Sequence, residues 1–196
     1  YQKEPMVKKV VEILKTHKIG NILCFVASEA QGKARKKEVE EILEKNIKEF
    51  HNYPYIGILT GKSTENEAEI CTGKIKLNEI PPHSKYGPYI RKVIFATNAV
   101  EFSVTFEDGL SFVIDSGLQF GVNYDSKLNC TVTGNELTAK SNISQRCGRT
   151  GRTCPGDCIR MYTKKVYDNM LDYAIPPILR KGALDSTPKL LKGKSL

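Results

Sequence analysis

Apolar residues recur with helical and strand periods along the first part of the chain. Residues 5–18 place them at helical spacing, which predicts an amphipathic helix. The continuous run ILCFV at 22–26 predicts a short buried strand. The segment KARKKEVEEILEKNIKEF at 33–50 has one apolar face and one charged face and predicts a second helix, and YIGILT at 55–60 predicts the next strand.

Two further apolar runs, KVIFAT at 92–97 and SFVID at 111–115, are continuous, as in strands covered on both faces. Residues 61–90 are less regular and include the Pro- and Gly-rich loop PPHSKYGP. The order of helices and strands predicts an α/β fold with an open, mostly parallel sheet. We expect residues 1–172 to form one domain, and residues 173–196 to connect it to another part of the protein.

The pattern changes after Gly117. Period-2 stretches on either side of a polar tip at 125–127 predict an antiparallel β-hairpin. Ser141 or Asn142 can then cap a short helix that carries QRCGRTGR at 145–152. A Pro-Gly turn leads into the predicted strand CIRMYT, and KKVYDNML is predicted to be helical.

Composition favours a soluble, phosphate-binding protein. The 196 residues have a net charge of +8, a pI near 9.1, 40% hydrophobic residues, 27% charged residues and a mean hydropathy of −0.36. No apolar run approaches the ~20 residues of a membrane span. The amino terminus has neither an initiator Met nor a signal-peptide pattern, so we expect an intracellular protein of the cytoplasm or nucleus, cut from a longer chain.

Six cysteines are scattered along the chain, which favours free thiols in a reducing compartment. Cys147, Cys154 and Cys158 lie close together in sequence, so a zinc site is an alternative. Their spacing matches no common zinc motif and no His is nearby, so no metal site is expected.

The segment GILTGKST at 57–64 approaches the phosphate-binding pattern GxxxxGK[ST]. Only three residues separate Gly57 from Gly61, whereas the pattern has four between its glycines. A loop shortened in this way wraps less completely around a phosphate. The alternatives are therefore a degenerate phosphate loop and a polar turn after a strand.

The segment QRCGRTGR carries the strongest chemical signal. Arg146, Arg149 and Arg152 recur every third residue, so on a helix they share one broad face. Gly148 and Gly151 between them would each cost a helix about 1 kcal/mol. An anion opposite the three guanidinium groups would offset this cost, and the γ-phosphate of ATP suits such groups.

These residues resemble a known family. QRCGRTGR followed by TCPGDCIRMYT is similar to motif VI (QRxGRxGR) of DEAH-box and related DExH superfamily 2 helicases, and RKVIFATNAVEFSVTF at 91–106 resembles their motif V. NILCFV with Ser28 is similar to motif IV, and the predicted hairpin resembles their insertion between motifs V and VI. The likeness covers about residues 20–185. It implies a RecA-like three-layer sandwich with an inserted antiparallel hairpin, the second, C-terminal RecA-like domain of such an enzyme.

The resemblance assigns the catalytic and nucleic-acid roles residue by residue. Arg149 and Arg152 would reach the γ-phosphate as arginine fingers, and Gln145 would help place the attacking water. Thr97 and Asn98 would contact the nucleic-acid backbone and couple it to the ATP site.

The remaining assignments concern supporting contacts. Ser28 would contact nucleic acid, and Glu101 and Ser103 would hold the motif V loop. Asp108 would touch the nucleotide, at a spacing one residue longer than is usual in the family. Arg146 would make a structural or interdomain contact.

The resemblance also implies the cofactor and partners. ATP with Mg²⁺ would be bound mainly by a first RecA-like domain, which in the family carries the phosphate loop and the acidic DEAH strand. This chain would then supply half of the ATP-dependent helicase, act on single-stranded RNA, and be inactive alone. The alternative is a catalytically silent nucleic-acid-binding or protein-docking module with a helicase-like fold.

Overall fold

Among the residues that the structure describes, seven β-strands form two sheets. The structure is a computed structural model that describes residues 5–101, 104–125, 127 and 130–175. The strands are β1 (Asn21–Phe25), β2 (Tyr55–Leu59), β3 (Lys92–Ala96), β4 (Leu110–Asp115), β5 (Leu118–Asp125), β6 (Cys130–Leu137) and β7 (Asp157–Arg160). Five of them form a parallel sheet in the order β2-β3-β1-β4-β7, and β5 and β6 form a separate antiparallel hairpin. The predicted α/β class, parallel sheet and hairpin are confirmed.

Helices cover both faces of the parallel sheet. They are α1 (Pro5–Thr16), α2 (Glu29–Asn46), α3 (Glu65–Thr72), α4 (Lys140–Cys147) and α5 (Lys164–Asp168). Successive residues of a strand point to opposite faces, so Ile22 and Cys24 pack in one core cluster with α1 and α2. Leu23 and Phe25 pack in a second cluster on the other face. This arrangement gives the three layers expected of a RecA-like domain.

The helix predicted to carry QRCGRTGR at 145–152 ends earlier than expected. Instead of being capped by Ser141 or Asn142, α4 follows Ala139, and it ends at Cys147 rather than running through residue 152. Gly148 is its C-terminal cap, and Gly151 has a φ of +73°, a left-handed conformation that breaks the helix and suits glycine. The idea that three arginines share one helix face is therefore wrong.

Some predicted features lie outside the described residues: Ser103, the hairpin-tip residue Ser126, and residues 176–196 of the expected connecting segment. Within the described part of the chain, no helix is long and apolar enough to cross a membrane.

A buried ion network joins α4 to the parallel sheet. The Arg146 guanidinium donates from Nε to Glu101 Oε1 at 2.6 Å and from Nη1 to Asp115 Oδ1 at 2.7 Å. All three side chains are fully buried. Asn142 donates to Glu101 at 2.9 Å, and the Tyr162 hydroxyl donates to Asp115 at 3.0 Å. Burial raises the pKa of Glu101, and the Arg146 charge opposes that rise.

Replacing Arg146 should destabilise the fold strongly. Arg146→Met fills most of the space of the arginine side chain with an apolar one, but it leaves the Glu101 and Asp115 carboxylates buried without their cation. We expect the free energy of unfolding to fall by about 3–5 kcal/mol, measured by urea unfolding. The control is Arg160→Met at an exposed arginine, expected to change it by less than ~1 kcal/mol. Equal effects of the two substitutions would show that the network does not hold α4.

Candidate functional site

The carboxyl ends of the parallel strands meet at one edge of the sheet. Val26, just after β1, donates its backbone N–H to Ala96 at the end of β3, and Thr97 donates to Leu59 at the end of β2. A cavity of about 480 Å³ opens there, which we call the strand-end cavity. It is lined by Ala27, Ser28, Glu29, Ala30, Thr60, Gly61, Lys62, Thr97, Asn98 and Phe120. The structure thus brings together the three residues predicted to contact nucleic acid.

Local backbone structure positions these three residues. Ser28 is the N-cap of α2, where its hydroxyl accepts a hydrogen bond from the Gln31 N–H at 3.3 Å. The α2 N-terminus, with its partial positive charge, therefore borders the cavity. Thr97 is buried and starts a 3-10 turn over Asn98–Val100, while Asn98 remains half-exposed.

A second cavity, of about 370 Å³, gathers the residues predicted to act on ATP. We call it the arginine cavity, and Glu101, Val104, Thr105, Gln145, Gly148, Arg149 and Arg152 line it. Gln145 is at the exposed side of α4, whereas Arg149 and Arg152 follow the end of that helix. The sequence prediction that Gln145, Arg149 and Arg152 share one site is consistent with this geometry.

Arg149 is turned toward the loop that follows β3. Its guanidinium donates to the backbone carbonyls of Glu101 and Val104, with a longer contact of 3.4 Å to that of Val100. The residue is 9% exposed. Burial, and then the charge of Arg152, lower the pKa of the Arg149 guanidinium. In this arrangement its donors bind protein carbonyls and not an outside anion.

Arg152 lies in the opposite situation. Its side chain is exposed, and its Nε donates to the Gly148 carbonyl at 3.0 Å. Gly151 precedes it in the left-handed conformation, which turns the chain after α4. The remaining guanidinium donors are thus accessible from the arginine cavity.

Asp108 lies beside the two arginines but is held by lysines. It borders a narrow cleft together with Arg149 and Arg152. Its carboxylate pairs with the buried Lys92 ammonium and, at 3.1 Å, with Lys76. Sequence reasoning missed Lys92, because a lysine at the start of an apolar strand carries no signal of burial.

The segment GILTGKST at 57–64, which approaches the phosphate-loop pattern, forms a polar turn after β2. The Thr60 N–H binds the Ser63 hydroxyl at 3.0 Å, and the Lys62 N–H binds the Thr60 hydroxyl at 3.1 Å. Thr64 and Glu67 form a capping box at the start of α3, so a carboxylate occupies that helix N-terminus. Because these amides are satisfied internally and the first turn is acidic, the loop does not suit a phosphate.

The expectation of free thiols is wrong for two cysteines. Cys147 and Cys158 form a disulfide, while Cys154 is free. Among the described residues, no group of three or more His, Cys, Asp or Glu side chains is arranged so that it could hold a metal ion. The sequence spacing showed the three cysteines close together, but pairing depends on how α4 lies over β7, which spacing does not reveal.

The two cavities share one segment of chain. Residues 97–109, which we call the β3–β4 loop, place Thr97 and Asn98 in the strand-end cavity and Glu101 and Val104 in the arginine cavity.

Comparison with known proteins gives the same family. No family model matches the sequence. The chain is 35% identical over 165 residues to the ATP-dependent RNA helicase DEAH12 of Arabidopsis thaliana, covering 84% of this chain and 8% of that protein. It is 31% identical over 163 residues to human ATP-dependent RNA helicase DHX29, covering 82% of this chain and 11% of that protein. A putative ATP-dependent RNA helicase of Acanthamoeba polyphaga mimivirus is 40% identical over 106 residues, which is 54% of this chain and 15% of the relative. The chain thus spans less than a sixth of each of these proteins.

Solved structures show the same fold. The Escherichia coli DEAH/RHA helicase HrpB superposes with a TM-score of 0.71 at 21% identity, covering 100% of this chain and 22% of that one. The sequence relatives and the fold of this chain together show that it belongs to the DEAH-box and DExH superfamily 2 helicases. It corresponds to the C-terminal RecA-like domain of these enzymes.

Proposed function

We propose that this chain is the C-terminal half of the motor of an ATP-dependent RNA helicase. The observation that carries the proposal is the grouping of Gln145, Arg149 and Arg152 in one cavity, joined by the β3–β4 loop to Thr97 and Asn98 in another. A module that only docks to a partner would not need arginines suited to phosphate in a cavity that shares a loop with the strand-end cavity. The names of the relatives, which are RNA helicases, support RNA as the nucleic acid.

On the nucleotide side, Arg152 is the more accessible arginine finger. Its exposed guanidinium can meet the γ-phosphate of ATP presented by a first RecA-like domain, which would hold Mg²⁺ and the phosphates. Arg149 would reach the phosphate after leaving the carbonyls of Glu101 and Val104. Gln145 would orient the attacking water, and Asp108 would border the nucleotide from the adjoining cleft.

On the nucleic-acid side, the strand-end cavity suits a sugar–phosphate backbone. The α2 N-terminus lies behind Ser28, where the Glu29 carboxylate of its first turn is paired with Lys33 at 2.6 Å, and Thr97 and Asn98 offer a hydroxyl and an amide to a phosphate. Contacts of this kind position a strand without reading its bases.

We assign residues 1–172 to the C-terminal RecA-like domain and residues 173–196 to a connection with a further domain.

The first test of the proposal is Arg152→Ala in the full-length protein. Loss of a finger should lower the rate of ATP hydrolysis roughly a thousandfold or more, measured under saturating ATP. Arg160→Ala provides the control, since it removes another exposed arginine of the same region. Unchanged turnover in Arg152→Ala would remove the finger assignment.

A second test addresses the strand-end cavity. Asn98→Ala should weaken binding of single-stranded RNA by roughly ten- to a hundredfold, because a hydrogen bond to a charged group contributes about 1.5–3 kcal/mol. Fluorescence anisotropy with poly(U) and poly(A) oligonucleotides should give the same loss for both. Asn66→Ala on α3, outside this cavity, is the matched control. A loss confined to one sequence would argue against backbone contact.

The chain purified alone should hydrolyse no ATP above background. In the turn at 60–64 the N–H groups of Thr60, Lys62 and Thr64 are bound to side chains of the turn and of α3, so this segment does not form a phosphate cradle. A phosphate-release assay with added RNA measures this. Robust hydrolysis by the isolated chain would instead indicate a self-contained NTPase.

A further inference from the structure

The disulfide between Cys147 and Cys158 joins the segment QRCGRTGR at 145–152 to strand β7. Cys147 is the last residue of α4, and Cys158 is in β7, the edge strand of the parallel sheet. Their Cα atoms are 5.4 Å apart, within the range for a disulfide. The bond therefore ties the helix that carries Arg146 to the sheet beneath it.

The bond also closes a ring around the arginine loop, residues 148–156. Arg149 and Arg152 lie inside this ring. The far part of the loop is packed tightly, since a Cβ at Gly156 would meet the Leu110 and Ser111 carbonyl oxygens at 2.8 Å. The two ends of the loop are thus held by the disulfide and by packing, and Arg149 and Arg152 lie between them.

The paired cysteines are less buried than the cysteines of the core. Cys147 and Cys158 are both half-buried, with Cys158 packed beside one core cluster, whereas Cys24 and Cys71 lie inside the core. Oxidants and reductants therefore have a shorter approach to this pair than to the core thiols.

We propose that Cys147 and Cys158 are a reversible thiol–disulfide site that controls the arginine loop, an inference that rests on the proposed function. Oxidation by a peroxide joins the two sulfurs: each thiol loses its proton and one electron, and the peroxide is reduced to two waters. A dithiol reductant returns two electrons and two protons and becomes a disulfide itself.

The oxidised state slows ATP hydrolysis. With Cys147 fixed to β7, Arg149 two residues later remains on the Glu101 and Val104 carbonyls. To meet a phosphate it must leave them, which requires the loop to shift. Reduction leaves the Arg146 network as the only anchor described for the end of α4, so the residues that follow Cys147 can shift.

Peptide mapping of the full-length protein tests the site directly. Trypsin cuts after Arg146, Arg149 and Arg152, so Cys147 falls in CGR and Cys158 in TCPGDCIR. After peroxide treatment, blocking of free thiols and non-reducing digestion, the Cys154→Ala variant should yield the two peptides linked. In that variant the linked pair can only be Cys147 with Cys158. Two blocked, unlinked peptides would overturn the proposal.

ATPase assays of the same full-length protein test the consequence. Peroxide should lower the rate at least fivefold, and dithiothreitol should restore it. The Cys154→Ala variant, altered on the same loop, should lose ATPase rate to peroxide as the unmodified enzyme does. The ATPase rate of Cys158→Ala should change less than twofold on addition of peroxide. An equal loss in Cys158→Ala would overturn control by this pair. The peptide map needs no activity, so an enzyme inactive even when reduced would contradict the proposed function and not the redox site.

Discussion

The buried guanidinium of Arg146 sets the geometry on which both cavities depend. It links Glu101, in the loop after β3, to Asp115, at the end of β4, from a position on α4. Each charge is costly to bury alone, so the three groups are stable only together. This requirement fixes the end of α4 against the sheet, and it thereby fixes the point from which the arginine loop departs.

That loop and the β3–β4 loop meet through Arg149. Its guanidinium satisfies two backbone carbonyls of a segment whose earlier residues, Thr97 and Asn98, face the other cavity. If Arg149 moves to a phosphate, those carbonyls lose their donor and the segment must find a new arrangement. In the proposed function, occupation of one cavity alters the other through this loop, without a longer chain of contacts.

Most of the fold could be predicted from hydrophobic periodicity, because buried strands and amphipathic helices leave clear patterns. The predicted runs at 22–26, 55–60 and 92–97 each coincide with an observed strand to within one residue. What could not be predicted depends on contacts between distant elements. The pairing of Cys147 with Cys158 and the burial of Lys92 against Asp108 arise only after α4 and the β3–β4 loop pack on the sheet.

The prediction that Arg146, Arg149 and Arg152 share one helix face is wrong for a physical reason. On a continuous helix, residues three and six positions after Arg146 would lie about 60° and 120° from it around the axis. Arg146 points into the buried network, so Arg149 and Arg152 would have been pressed toward the same covered side. Gly148 and Gly151 end the helix and turn the chain. The glycines that make the segment a poor helix are therefore what allows one arginine to anchor the sheet while the last faces solvent.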